Sequence, residues 1–67
     1  MEIGELIRER RLAKKLTQKR LGEEMGFSGN QAQVIVAQWE AGTRPVHKDK
    51  LKLISKLLEI PLEDLLP

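Results

Sequence analysis

The chain has 67 residues and a net charge of only +2, and a third of its residues are charged. A domain this small buries only about 60% of its unfolded surface, so close helix packing or oligomerisation must stabilise it. The lack of cysteine excludes disulfides and thiolate metal sites, and a lone histidine excludes a zinc-finger cluster. No apolar run is long enough for a membrane span, and the first residues do not resemble a signal peptide, so we expect a cytoplasmic protein.

The charges are distributed unevenly along the chain. Basic residues outnumber acidic ones in the first twenty residues and again from Arg44 to Lys56, whereas only acids occur from Leu57 onward. This pattern suggests one face for phosphate groups and another for a different partner. Basic residues that merely solvate helix faces would give the same count, so charge alone leaves both explanations open.

Two helices are predicted in the first part of the chain. The first covers residues 1–15, where apolar side chains recur on one face and no proline interrupts them. The second covers residues 18–25, with Thr17 as its N-cap and Gly26 as its stop, since glycine adopts the left-handed backbone that ends a helix. Gly22 inside the second helix costs about 1 kcal/mol relative to alanine, which indicates that another helix approaches closely there.

A third helix is predicted over residues 29–41, so close behind the second that the two form a helix-turn-helix. The second helix of such a motif can enter a DNA major groove. Ser28 and Gln31 form a capping box that would begin the helix early, whereas Asn30 paired with Gln33 would leave the preceding residues in the turn. The apolar face consists of Ala32, Ile35, Val36 and Trp39.

The remaining sequence predicts two more helices. One covers residues 47–58, after a turn at Pro45, and a short last helix begins at Pro61, which suits a first helical turn. The apolar side of the last helix consists of Leu62, Leu65 and Leu66. Because few neighbours remain to cover these leucines, we expect a homodimer joined through residues 60–66. The alternative is that they close the monomer's own core and that the protein dimerises only on DNA.

Four segments of the chain resemble the lambda-repressor-like, Cro-type helix-turn-helix family, also called XRE-type. These segments are I-G-E-L-I-R-E-R-R, L-T-Q-K-R-L-G-E-E-M-G, W-E-A-G-T-R-P and I-S-K-L-L-E-I-P-L-E-D-L-L. The resemblance covers nearly the whole chain, and it implies a single all-α, compact five-helix DNA-binding domain that commonly works as a homodimer on a palindromic operator. The interval from Gly26 to Glu40 is longer than is usual in the family by about one helical turn.

The side of the third helix opposite its apolar face carries amides among small or apolar residues and no charge. An amide can bond to both N6 and N7 of adenine, and an apolar side chain can contact a thymine methyl group. The resemblance assigns base reading to Gln33, Val34 and Gln38, and Asn30 lies on the same side. A simple solvent-facing surface would normally be rich in Lys and Glu, so base reading is favoured.

The resemblance also implies phosphate contacts at the start of the second helix and after the third. The candidates are Thr17, Gln18, Lys19, Thr43 and Arg44. Helix capping by Thr17 and simple solvation of Lys19 are the alternatives at those positions. By the same resemblance, Arg11 and Glu40 form a structural ion pair, and breaking it would leave an uncompensated charge.

Together these features favour a transcriptional regulator, of the repressor or restriction-modification controller type, that binds a palindromic operator through the third helix. The alternative is an antitoxin or another protein-interaction module with the same fold, which usually needs an additional segment that we do not expect here. No nucleophile–base constellation or glycine-rich phosphate loop supports an enzyme. We expect double-stranded DNA as the partner, and no cofactor, metal, membrane or small-molecule ligand.

Overall fold

A computed structural model describes residues 2–66, which fold into four α-helices and one short 3-10 turn. The helices are α1 (Ile3–Ala13), α2 (Gln18–Glu24), α3 (Asn30–Ala41) and α4 (Lys48–Leu58). The all-α class is confirmed, and the predicted start of the first helix at Met1 lies outside the described residues. Within residues 2–66, no helix is both long and apolar enough to cross a membrane.

The prediction of a fifth α-helix is wrong, because the segment Leu62–Asp64 forms only a 3-10 turn. The N–H of Asp64 bonds to the carbonyl of Pro61, and the N–H of Leu65 bonds to that of Leu62, so both bonds span three residues. Such bonds wind the backbone more tightly than an α-helix. The turn brings the Leu65 side chain into the domain's core.

One apolar core lies between the four helices and the segment that follows α4. Its fully buried members include Ile7 from α1, Leu21 from α2, Val36 from α3 and Ile54 from α4. The predicted apolar face of α3 points into this core, with Ala32, Val36 and Trp39 buried and Ile35 half-buried.

The three C-terminal leucines do not share one surface. Leu65 has no exposed side-chain area and belongs to the core, so the expectation that it contributes to a dimer interface is wrong. Ile60 is also buried, and Leu62 is half-buried. Only Leu66 stays largely accessible, with 49% of its area exposed. Most of the apolar surface in residues 60–66 therefore stabilises the domain itself.

Left-handed residues terminate the described α-helices, and only two of them are glycines. Gly26 follows α2 and Gly42 follows α3, with φ of 97° and 79°. After α1 and α4 the left-handed positions are occupied by Lys15 and Glu59, with φ of 59° and 55°. Because neither residue is a glycine, the sequence carries no stop signal there, and the predicted end of α1 at residue 15 lies two residues beyond its actual end at Ala13.

Helix α3 begins at Asn30, so Asn30, Gln31 and Ala32, in the interval that is longer than usual, extend the helix rather than the turn. Neither predicted cap forms, however. The N-cap is Gly29, and no side chain accepts a hydrogen bond there. Gly29 has φ of 62° and ψ of −149°, a conformation that is essentially restricted to glycine. The helix therefore starts one residue later than the Ser28 box requires, and Ser28 lies outside the capping position.

Close backbone contacts bring α1 and α2 against α3. A Cβ atom on Gly22 would lie 2.2 Å from the carbonyl oxygen of Ala32, which confirms the close approach predicted at Gly22. A Cβ atom on Gly4 would lie 2.5 Å from the carbonyl oxygen of Trp39. Two glycines thus set how closely α1 and α2 pack against α3.

Candidate nucleic-acid interface

Both ends of α2, the first helix of the helix-turn-helix, are closed by hydrogen bonds. The hydroxyl of Thr17 accepts a hydrogen bond from the N–H of Arg20 at 2.9 Å, so Thr17 is the N-cap of α2 as predicted. At the other end, the N–H of Phe27 bonds to the carbonyl of Gly22 at 3.0 Å around the left-handed Gly26. This is a Schellman motif, which satisfies carbonyls that the helix end would otherwise leave unpaired.

Helix α4 stabilises the same turn from outside the motif. The ammonium of Lys50 donates to the carbonyl of Met25 at 3.1 Å and lies 4.9 Å from the centre of the Phe27 ring. That ring meets Trp39 edge-on, with 5.8 Å between the ring centres. The orientation of α2 relative to α3 therefore depends on contacts from the core and from α4.

Arg11 and Glu40 lie together, and both side chains are almost fully buried, with 8% and 5% of their area exposed. Nε of Arg11 is 2.6 Å from Oε2 of Glu40, and Nη2 is 3.2 Å from Oε1. Nη1 donates to the carbonyl of Leu16 at 2.8 Å. The amide of Gln18 donates to Oε1 of Glu40 at 3.1 Å. This ion pair thus connects α1 and α3 with the first residue of α2.

The outer face of α3 carries the residues that were predicted to read bases. Asn30, Gln33 and Val34 are exposed, and half of the area of Val34 is accessible. Gln38 is half-buried. An exposed valine leaves apolar surface in contact with water in the free protein, which is unfavourable. A contact with a thymine methyl group would bury that surface and regain the free energy. Base reading by these four side chains stays a prediction.

A cleft of about 530 Å³ lies between the start of α2 and the face of α3. Its lining consists of Arg11, Thr17, Gln18, Lys19 and Gln33. The fold therefore brings three predicted phosphate-contacting residues beside one predicted base reader. Because the Arg11 charge is already paired with Glu40, Lys19 supplies the unpaired cation of this cleft within the described residues.

Arg8 is a further candidate that the sequence interpretation did not assign to DNA. It lines a second cleft of about 300 Å³ together with Gln18, Ala37 and Ala41. Arg8 is exposed and stands three residues before Arg11, so both lie on adjoining positions of α1. Because the predicted ion pair places Arg11 against Glu40 of α3, the position of Arg8 one turn earlier beside α3 could have been predicted from the sequence.

The turn after α3 folds back onto Gln38. The carbonyl of Gln38 accepts from the N–H of Thr43 at 3.0 Å and from the N–H of Arg44 at 3.3 Å. Nε of Arg44 also donates to Oε1 of the Gln38 side chain at 2.7 Å. The sequence assigned Thr43 and Arg44 to phosphates and Gln38 to a base, but the structure joins them in one cluster.

The basic N-terminal residues do not all point to this surface. Lys14 bonds to the carboxylate of Glu59, at the end of α4. The hydrogen bond from Lys14 and its positive charge lower the pKa of Glu59. Lys14 is therefore engaged in an exposed link between α1 and α4, which is a structural role.

This arrangement of helices and exposed amides is that of a DNA-binding helix-turn-helix domain. A profile of the helix-turn-helix family matches residues 7–65, and the chain belongs to that family. The resemblance to the Cro-type family is thereby confirmed. The family membership points to a non-enzymatic DNA-binding regulator, in agreement with the expectation from the sequence.

The chain is also similar to the HTH-type transcriptional activator BcrR of Enterococcus faecalis. The two are 32% identical over 66 residues, which cover 98% of this chain and 30% of the relative. The chain thus spans less than a third of the length of that curated relative. No solved structure matches the chain significantly.

Proposed function

We propose that this chain is the sequence-specific DNA-binding unit of a transcriptional regulator, with α3 lying in the major groove. The observation that carries the proposal is the outer face of α3, where exposed Asn30, Gln33 and Val34 present amide and apolar groups without a charge. Uncharged amides suit base edges, and the family membership supports DNA as the partner.

Phosphate contacts on both sides of α3 would position this helix. Gln18 and Lys19 border the cleft beside Gln33, whereas Thr43 and Arg44 follow the opposite end of the helix. Phosphate contacts set the register and orientation of a protein on DNA, while base contacts carry the sequence information. In this proposal Gln33 and Val34 carry most of the sequence information.

The sign of regulation depends on the full protein and its promoter. The sequence suggested a repressor or a restriction-modification controller, whereas the curated relative is named a transcriptional activator. We therefore propose a regulator that binds a palindromic operator, without a preferred direction of control.

The affinity of the protein for DNA should fall steeply as the salt concentration rises, because Lys19, Arg44 and neighbouring cations release counterions from the DNA.

Gln33→Ala tests base reading directly. On a duplex selected by the wild-type protein from random sequences, we expect a loss of about 1–3 kcal/mol in binding free energy, the value of one bidentate base contact. On random DNA the loss should be small. Fluorescence anisotropy at a fixed salt concentration measures both affinities.

Lys19→Ala is the control for Gln33→Ala. Lys19 lines the same cleft, but a phosphate contact is independent of sequence, so its loss should weaken both duplexes equally. Equal losses on both duplexes for Gln33→Ala would show that Gln33 does not read bases. A wild-type protein that selects no preferred duplex would contradict the proposed function itself.

We also propose that two copies bind the operator as a homodimer, since a palindrome requires two recognition helices about 34 Å apart. Leu66 is the best remaining contact of the C-terminal segment, with 49% of its area exposed. Leu66→Glu should shift the wild-type dimer to monomer in sedimentation equilibrium. Leu12→Glu is the matched control, because Leu12 is 53% exposed on α1. If the wild-type protein stays monomeric at high concentration without DNA, the proposed dimer contact at Leu66 is wrong.

A further inference from the structure

Arg44 holds Gln38 at two points. Its backbone N–H bonds to the main-chain carbonyl of Gln38, and its Nε bonds to the side-chain oxygen of the same residue. A second backbone bond, from Thr43 to the Gln38 carbonyl, keeps the turn against the end of α3. The side-chain bond therefore forms between groups that the backbone already holds close together, so little entropy opposes it.

The bond to Arg44 determines which way the Gln38 amide faces. A guanidinium can only donate, so the carbonyl oxygen of the amide must face Arg44 and the NH₂ group must face away. The opposite amide orientation would place donors against donors. Gln38 is thus presented as a hydrogen-bond donor, and its oxygen is polarised by the positive charge beside it.

This orientation changes the base that Gln38 suits. The two-bond contact with adenine needs the amide oxygen as acceptor for N6 as well as the NH₂ group as donor to N7. Arg44 already occupies one of the two lone pairs of that oxygen, and its positive charge would lie beside the N6 donor of adenine. Guanine presents two acceptors, O6 and N7, in the major groove. The NH₂ group of Gln38 matches that edge without using its oxygen, and the remaining N–H groups of Arg44 are further donors.

We propose that Arg44 is a positioning residue for Gln38, and that the pair selects guanine at the base pair met by the C-terminal part of α3. The adenine expected from a glutamine alone is disfavoured there. This inference rests on the proposed function, because it specifies which base one residue of the recognition helix selects.

The test is selection from random duplexes with three proteins: wild type, Gln38→Ala and Arg44→Ala. Gln38→Ala should erase the preference at one base pair and so identify the position that Gln38 meets. At that position the wild type should prefer guanine. Arg44→Ala frees the amide to turn, so its preference for guanine over adenine should fall about tenfold or more, while the rest of the site is retained.

Lys48→Ala is the matched control. Like Arg44→Ala, it removes one positive charge near the turn. Lys48 is exposed and makes no hydrogen bond to Gln38, which bonds to Arg44 instead. It should weaken binding evenly and leave every base preference unchanged. Arg44→Ala with the wild-type preference, or an adenine at the position erased by Gln38→Ala, would overturn the inference while the proposed function stands. A wild type that enriches no sequence would overturn the proposed function.

Discussion

Glu40→Ala is expected to lower the free energy of unfolding by about 3–5 kcal/mol, the cost of leaving a buried charge without its partner. The orphaned group is Arg11, whose side chain is only 8% exposed and donates to both carboxylate oxygens. Gln18 would lose the acceptor for its amide as well. Urea denaturation followed by circular dichroism measures the change.

Arg20→Ala is the control for the ion pair. It breaks the exposed bridge between Arg20 and Glu24, whose atoms lie 3.1 Å apart on α2. A surface pair one helical turn apart contributes about 0.3–0.5 kcal/mol, so the effect should be small. If Glu40→Ala were no more destabilising than Arg20→Ala, the buried pair would not determine how α1 and α3 pack.

Gly22→Ala is expected to destabilise the domain by about 1–3 kcal/mol or more, although alanine is the better helix former. The added Cβ would lie 2.2 Å from the carbonyl oxygen of Ala32 and 2.7 Å from its Cα. These are backbone atoms of α3, so a side-chain rotation cannot relieve the contact and the helices must separate. The thermal midpoint should fall, and the affinity for a selected duplex should fall with it.

Glu23→Ala is the control for the glycine. Glu23 is the next residue of α2 and is exposed, so alanine there gains helix propensity without meeting α3. Its thermal midpoint should match or exceed that of the wild type. A Gly22→Ala protein with the same midpoint would mean that α2 can move away from α3 at no cost.

The sequence by itself determined the features that depend on neighbouring residues. The cap at Thr17 and the stop at Gly26 require only hydrogen bonds within a few residues, and both are present. The apolar face of α3 follows from helical periodicity, and Trp39 lies in the core as its spacing requires. Glycine in the middle of α2 also signalled a neighbouring helix, because it is unfavourable without one.

Only the tertiary structure decided how surfaces were divided between core and solvent. Leu65 and Leu66 are adjacent leucines, yet the first is buried and the second is exposed, because the 3-10 turn directs only Leu65 into the space beside α4. The role of Gln38 was decided in the same way. Its neighbour Arg44 lies six residues on, and the left-handed Gly42 reverses the chain to bring their side chains together. Local patterns specify helices and their ends, but which side chains meet depends on how the chain folds back between them.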